Sequence, residues 1–140
     1  MGELPQEIKS ELDHIRATLE NLDAAVKRPQ KGVIESAAIG TFLHNFYTGM
    51  EHVIRHTLRA HNVPLPESET WHKDLLELAL QETILSEETV EYLYEFLGFR
   101  HFFVHGYAQM LQEPKLISLA NNANKAWERF LTDIREFYRL

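Results

Sequence analysis

The chain has 140 residues, a length typical of one domain, and its 14 Lys and Arg against 21 Asp and Glu give a formal net charge of −7. This charge disfavours a protein that coats nucleic acid regardless of sequence, because that class needs a basic surface. The chain contains no Cys, which excludes disulfides, thiolate zinc sites and a thiol nucleophile. We see no signal peptide and no apolar stretch near the roughly 18 residues of a membrane span, so we expect a cytoplasmic protein without membrane association.

The first predicted helix begins near Leu4 and carries apolar residues at alternating steps of four and three. These residues are Ile8, Leu12, Ile15, Leu19, Leu22 and Val26. They would form a single stripe along a helix and face a core. Pro5 suits the first turn, and the step from Arg28 to Pro29 favours an end to the helix.

A second and longer helix is predicted from after Gly32 to about Asn62. Its apolar residues are Ile34, Ala38, Phe42, Phe46, Met50, Val53, Ile54 and Leu58. Two glycines lie within it, Gly40 and Gly49. Glycine in a helix either permits a bend or allows a neighbouring helix to approach closely.

Three further helices follow in the second half of the sequence. The spacing predicts a short helix from Trp71 to about Gln81. A fourth helix begins after Ser86, which is a typical N-cap residue, and reaches Val104, with Gly106 as a candidate C-cap. The last helix follows Pro114.

No window of the sequence alternates with a period of two in the manner of a β-strand. The sequence therefore predicts an all-α, up-and-down bundle of four main helices plus a short fifth, in a single domain over residues 1–140.

The segment 95–109 differs from the rest because Arg100, His101 and His105 lie within an otherwise apolar run. An unpaired charge in apolar surroundings costs several kcal/mol, so such groups need a partner or a wet cleft. Five residues rotate a side chain by about 140° around an ideal helix. Arg100 and His105 can therefore meet only if the Arg side chain bends back or the helix ends near His105.

Arg100, His105 and Tyr107 form a motif, R-x4-H-x-Y, that resembles the motif of HepT-like toxins of the HEPN superfamily. Other positions also resemble the family and occur in the same order. They are Phe46, Tyr47, Glu51, Trp71, His72, Leu75 and Leu76. The resemblance covers nearly the whole chain and implies an HEPN-like helical bundle.

The resemblance implies a metal-independent endoribonuclease, the toxin of a toxin–antitoxin pair, that works without a cofactor as a homodimer whose motifs share one cleft. RNA supplies its own nucleophile, the 2′-hydroxyl group. His105 would act as general acid or base, and Arg100 would bind the phosphate. A dimer brings two copies of each residue. His101 and Glu51 are candidate auxiliary residues.

Family resemblance also implies a second partner and a role for Tyr107. In HepT systems an MNT-type nucleotidyltransferase antitoxin transfers AMP to the motif tyrosine. AMP on Tyr107 would add bulk and negative charge two residues from His105, and would compete with RNA for Arg100. His101 stands where relatives often have a small polar residue.

Two other functions remain open from the residues alone. In the first, the chain is a non-catalytic helical-bundle partner of a nucleotidyltransferase, Arg100 pairs with an acid such as Glu95, and His105 caps helix carbonyls. Glu51 is a second acid that could pair with Arg100, or it could lie at the cleft.

The second alternative is a metal-binding bundle. The pairs His52/His56 and His101/His105 have H-x3-H spacing, which can ligate a metal from one helix face, but neither has the acidic residue of an H-E-x-x-H site. His52, His56 and the arginines near them also predict either a basic strip that guides RNA or a solvated helix face.

Overall fold

The stripes of apolar residues form α-helices in the computed structural model of the chain, which describes residues 4–30, 32–105 and 113–139. The helices are α1 (Gln6–Val26), α2 (Val33–Ala60), α3 (Trp71–Gln81), α4 (Glu87–Val104) and α5 (Glu113–Phe137). The described residues contain no β-strand, and the predicted all-α bundle is confirmed. No helix in this part of the chain combines the length and hydropathy that a membrane crossing needs.

Helix ends follow the local chemistry of the sequence. Pro5 directly precedes α1, and Ser86 caps α4 by accepting a hydrogen bond from the backbone N–H of Thr89. At the other end of α4, His105 occupies the C-cap position. The predicted C-cap, Gly106, lies outside the described residues.

The core lies between the buried faces of all five helices. The stripe predicted for α1 is buried except for Val26, which is half-buried. In α2 the first buried residue is Ile39, so Ile34 does not face the core although it belongs to the apolar residues of this helix. Val33 is 87% and Ile34 80% exposed, so the first turn of α2 lies at the surface.

The two glycines of α2 allow close packing. A Cβ atom at Gly49 would lie 2.6 Å from Cγ1 of Ile15 in α1, which is closer than carbon atoms approach without a shift. A Cβ atom at Gly40 would lie 3.2 Å from Cε1 of Phe103 in α4. Glycine therefore allows α2 to contact α1 on one side and α4 on the other.

Replacing Gly49 by alanine is expected to lower the free energy of unfolding by about 1–3 kcal/mol, because the added methyl group overpacks the contact with Ile15. Urea unfolding followed by circular dichroism measures the change. Gly98→Ala is the matched control, since a Cβ atom at Gly98 would meet nothing within 4 Å. In this exposed helix position alanine should stabilise the chain by up to about 1 kcal/mol. Equal effects of the two substitutions would contradict the role of Gly49 in packing.

Candidate active site

Two ring contacts fix how α2 and α4 face each other. The rings of Phe46 and Phe96 are 5.3 Å apart, and those of His44 and Phe103 are 5.1 Å apart. The two helices run antiparallel, because the earlier residue of α2, His44, contacts the later residue of α4, Phe103. Arg100 lies four residues after Phe96 and three before Phe103, on the same face of α4. The structure therefore directs Arg100 towards α2.

Arg100 is half-buried, and its Nε atom is shielded from solvent without a hydrogen-bond partner among the described residues. The same part of the chain offers it no ion pair within 4.0 Å. Glu95, one of the acids considered as its partner, instead accepts a hydrogen bond from the side-chain amide of Asn122 at 3.3 Å. No acid of the described residues neutralises Arg100, so its guanidinium could bind an anion while the rest of its side chain packs against the bundle.

Glu51 pairs with His72. The Nδ1 atom of His72 lies 2.7 Å from Oε2 of Glu51, and the Glu51 side chain is only 4% exposed. The ring of Trp71 stacks on His72, with centroids 3.5 Å apart, and the guanidinium of Arg55 lies 5.3 Å from the Trp71 ring centre. Glu51 is therefore an interior acceptor that ties α3 to α2, and it does not line an open cleft.

The two histidines at the end of α4 are exposed and lie side by side. Their ring centroids are 4.3 Å apart. Nδ1 of His105 donates a hydrogen bond to the backbone carbonyl of His101, at 2.7 Å. In neutral histidine only one ring nitrogen carries a proton, so this bond leaves Nε2 of His105 as the basic nitrogen. A base at the surface of α4 suits proton transfer to or from a bound substrate.

Two polar residues of α2 were not predicted as part of the site. His44 and Tyr47 lie seven and four residues before Glu51, on the same side of the helix. Burial lowers the pKa of His44, and the positive charge of Arg100 lowers it further. Burial also raises the pKa of Tyr47; Glu51 adds to this rise and Arg100 opposes it. The spacing of polar residues within an apolar helix was the signal that could have found them.

The remaining predicted residues fall into two groups. Tyr107 lies outside the described residues. Of the histidines considered as metal ligands, His52 lies next to Glu11, with its Nδ1 atom 3.4 Å from Oε1 of Glu11. The described residues contain no group of three or more His, Asp or Glu side chains arranged to hold a metal ion.

The helical bundle, with Arg100 on α4 and His105 at the C-cap of that helix, agrees with the class of protein that the motif predicts. The family model for HepT-like proteins matches residues 38–140. The chain belongs to this family, as the motif of Arg100, His105 and Tyr107 predicts. Comparison with curated proteins gives no match.

Solved structures share the fold at low sequence identity. A crystal structure of a toxin–antitoxin with AMP-PNP has a TM-score of 0.82 at 16% identity, over 94% of this chain and 99% of that one. A mutant of the toxin–antitoxin MntA-HpeT has a TM-score of 0.78 at 15% identity, over 94% and 99%. YutE from Bacillus subtilis, a cytosolic protein of unknown function, has a TM-score of 0.71 at 16% identity, over 92% and 89%. At these identities the likeness concerns the fold.

Proposed function

We propose that the chain is the toxin of a toxin–antitoxin pair and a metal-independent endoribonuclease that acts in the cytoplasm as a homodimer. The observation that carries the proposal is the pair of groups on α4 of a HepT-like chain. Arg100 has no ion-pair partner among the described residues, and His105 is exposed with its Nδ1 proton bound to the carbonyl of His101. A permanent cation and an imidazole that can take or give a proton are the groups that metal-free phosphodiester cleavage uses.

In the proposed reaction Nε2 of His105 takes the proton from the 2′-hydroxyl of a ribose. The resulting oxygen attacks the adjacent phosphorus, and the bond from phosphorus to the 5′-oxygen breaks. Protonated His105 of the partner subunit gives a proton to that leaving oxygen. The products are a 2′,3′-cyclic phosphate and a 5′-hydroxyl end, and Arg100 neutralises the phosphate charge that builds up during attack.

Exposed apolar side chains on α4 support the dimer. Phe102 is 50% and Val104 46% exposed, and both are close in sequence to His101 and His105. Apolar groups at a protein surface favour contact with another chain. If a second copy covers them, the two α4 helices bring their arginines and histidines to one cleft, which supplies an acid and a base together.

For the antitoxin we propose an MNT-type nucleotidyltransferase that transfers AMP to Tyr107. Membership of the HepT-like family and the fold shared with toxin–antitoxin proteins support this partner. AMP on Tyr107 would carry a phosphate close in sequence to His105, where it can bind Arg100 in place of RNA.

RNA cleavage by the purified chain in EDTA tests the proposed reaction. We expect cleavage of single-stranded RNA to fragments that end in a 2′,3′-cyclic phosphate, because no step uses a metal. A DNA oligonucleotide of the same base sequence is the control and should stay intact, since it lacks the 2′-hydroxyl. Cleavage that depends on a divalent cation would favour the metal-binding alternative. Intact RNA in every condition would favour a non-catalytic partner of a nucleotidyltransferase.

A further inference from the structure

One face of α2 carries a row of polar side chains in the interior. His44, Tyr47 and Glu51 follow one another at steps of three and four, and Tyr47 and Glu51 are 1% and 3% exposed. Glu51 is bound by His72. By contrast, Nε2 of His44 and the hydroxyl of Tyr47 are buried without a hydrogen-bond partner among the described residues. Buried polar atoms in native proteins nearly always have a partner, so these two call for an explanation.

Arg100 faces this row from α4, and it too has a buried polar atom without a hydrogen-bond partner among the described residues. It lies between Phe96, which contacts Phe46, and Phe103, which contacts His44. Tyr47 directly follows Phe46 in α2. The Nε atom of Arg100 is buried and unpartnered within the described part of the chain, like the Tyr47 hydroxyl. The charge of Arg100 acts on the pKa of both His44 and Tyr47, which places the guanidinium near this row of α2.

The hydrogen-bonding capacities of these groups complement one another. The Nε–H group of Arg100 can only donate, a tyrosine hydroxyl can accept one hydrogen bond and donate another, and an ionised glutamate can only accept. A chain of two bonds, from Arg100 to Tyr47 and from Tyr47 to Glu51, would give each group a partner of the right kind. His72 already fixes the carboxylate at the end of this chain.

We propose that Tyr47 is a positioning residue for Arg100: its oxygen accepts the Nε–H group of the guanidinium, and its own proton goes to Glu51. The proposal rests on the proposed role of Arg100 as the phosphate-binding group. Neither atom has a hydrogen-bond partner among the described residues, and in our proposal the bond forms when a bound phosphate fixes the guanidinium. This use of Nε leaves the Nη hydrogens of Arg100 for the phosphate oxygens.

The ionisation of the neighbouring groups supports this arrangement. Burial raises the pKa of Tyr47, so its hydroxyl keeps the proton that it would donate to Glu51. Burial lowers the pKa of His44, so its ring is neutral near pH 7 and does not repel the guanidinium.

Kinetics of Tyr47→Phe test the proposal where the chain cleaves RNA. We expect kcat/KM to fall about tenfold, the usual cost of one hydrogen bond to a charged group, with most of the loss in kcat. Glu51→Gln keeps the size of the side chain but weakens the acceptor, and should give a smaller loss in the same direction. Tyr138→Phe is the matched control: it removes a tyrosine hydroxyl 3.0 Å from Thr57 and should leave both constants unchanged. Equal kinetics for Tyr47→Phe and the wild-type chain would overturn the proposal.

Arginine NMR gives a readout that does not depend on cleavage. With inorganic phosphate as the probe, the Nε–H proton of Arg100 should exchange slowly with water in the wild-type chain and in Tyr138→Phe. In Tyr47→Phe its signal should shift and exchange faster. An Arg100 signal that is the same in Tyr47→Phe would overturn the positioning role even if the chain cleaves RNA. If the signal responds as expected in a chain that does not cleave RNA, the positioning role stands and the proposed function fails.

Discussion

Arg100→Ala and His105→Ala variants are each expected to lose RNA cleavage by about two to four orders of magnitude. Removing a general acid or base costs about 10²–10⁴-fold in rate, and removing a charge that stabilises the transition state costs about as much. Initial rates on a fluorescent single-stranded RNA in EDTA measure the loss. Arg100→Lys should recover only part of the activity, because lysine lacks the planar donors of the guanidinium.

The exposed His14 of α1 provides the matched control for the loss of a histidine. His14→Ala should cleave RNA as fast as the wild-type chain. Expression in cells gives a parallel readout, since the wild-type chain should arrest growth and the Arg100→Ala chain should not. A His105→Ala variant that cleaves at the wild-type rate would show that this histidine is not the base.

Covalent modification of Tyr107 is expected to reduce RNA cleavage to background. Co-expression with an MNT-type nucleotidyltransferase, the proposed antitoxin, should add the mass of AMP to the peptide that contains Tyr107. The adenylated chain should no longer cleave RNA, because a phosphate held near His105 competes for Arg100. Intact-protein and peptide mass spectrometry measure the modification, and the RNA assay measures its effect.

Two tyrosine variants decide whether the antitoxin inhibits the chain by covalent modification. Tyr107→Phe should keep its nuclease activity and escape the antitoxin, so cells that express both proteins should stop growing. Tyr94→Phe, which changes an exposed tyrosine of α4, should still be modified and silenced. Full silencing of Tyr107→Phe by the same partner would mean that binding alone neutralises the toxin.

The helices could be predicted because local rules place them. Apolar spacing predicts α1 and α3 to within a few residues, and a serine with N-cap chemistry predicts the start of α4. The exposure of Ile34 could not be predicted, because periodicity shows which side of a helix is apolar but not which part of that side is covered. Helix α4 carries apolar residues on its exposed side as well as on its buried side. Its sequence pattern therefore does not show which side packs against the core.

The candidate site was predictable only in part. The motif identified Arg100 and His105 and the resemblance identified Glu51 and His72, but nothing in the spacing showed that these last two pair. They lie 21 residues apart on different helices, and their contact depends on how α3 packs against α2. Tyr47 was noted only as a position that resembles the family, because its proposed role depends on how α2 and α4 pack against each other.

The close approach of Gly49 to Ile15 makes α1 part of the structure that supports the candidate site. The HepT-like match begins at residue 38, so it leaves out all of α1, which carries none of the proposed chemistry. Yet α1 packs against α2 at Gly49, on the side of the helix opposite to the side that carries Tyr47 and Glu51. A fragment trimmed to the matched residues would keep every residue that we propose to act on RNA, but it would lose the helix that packs against the other side of α2.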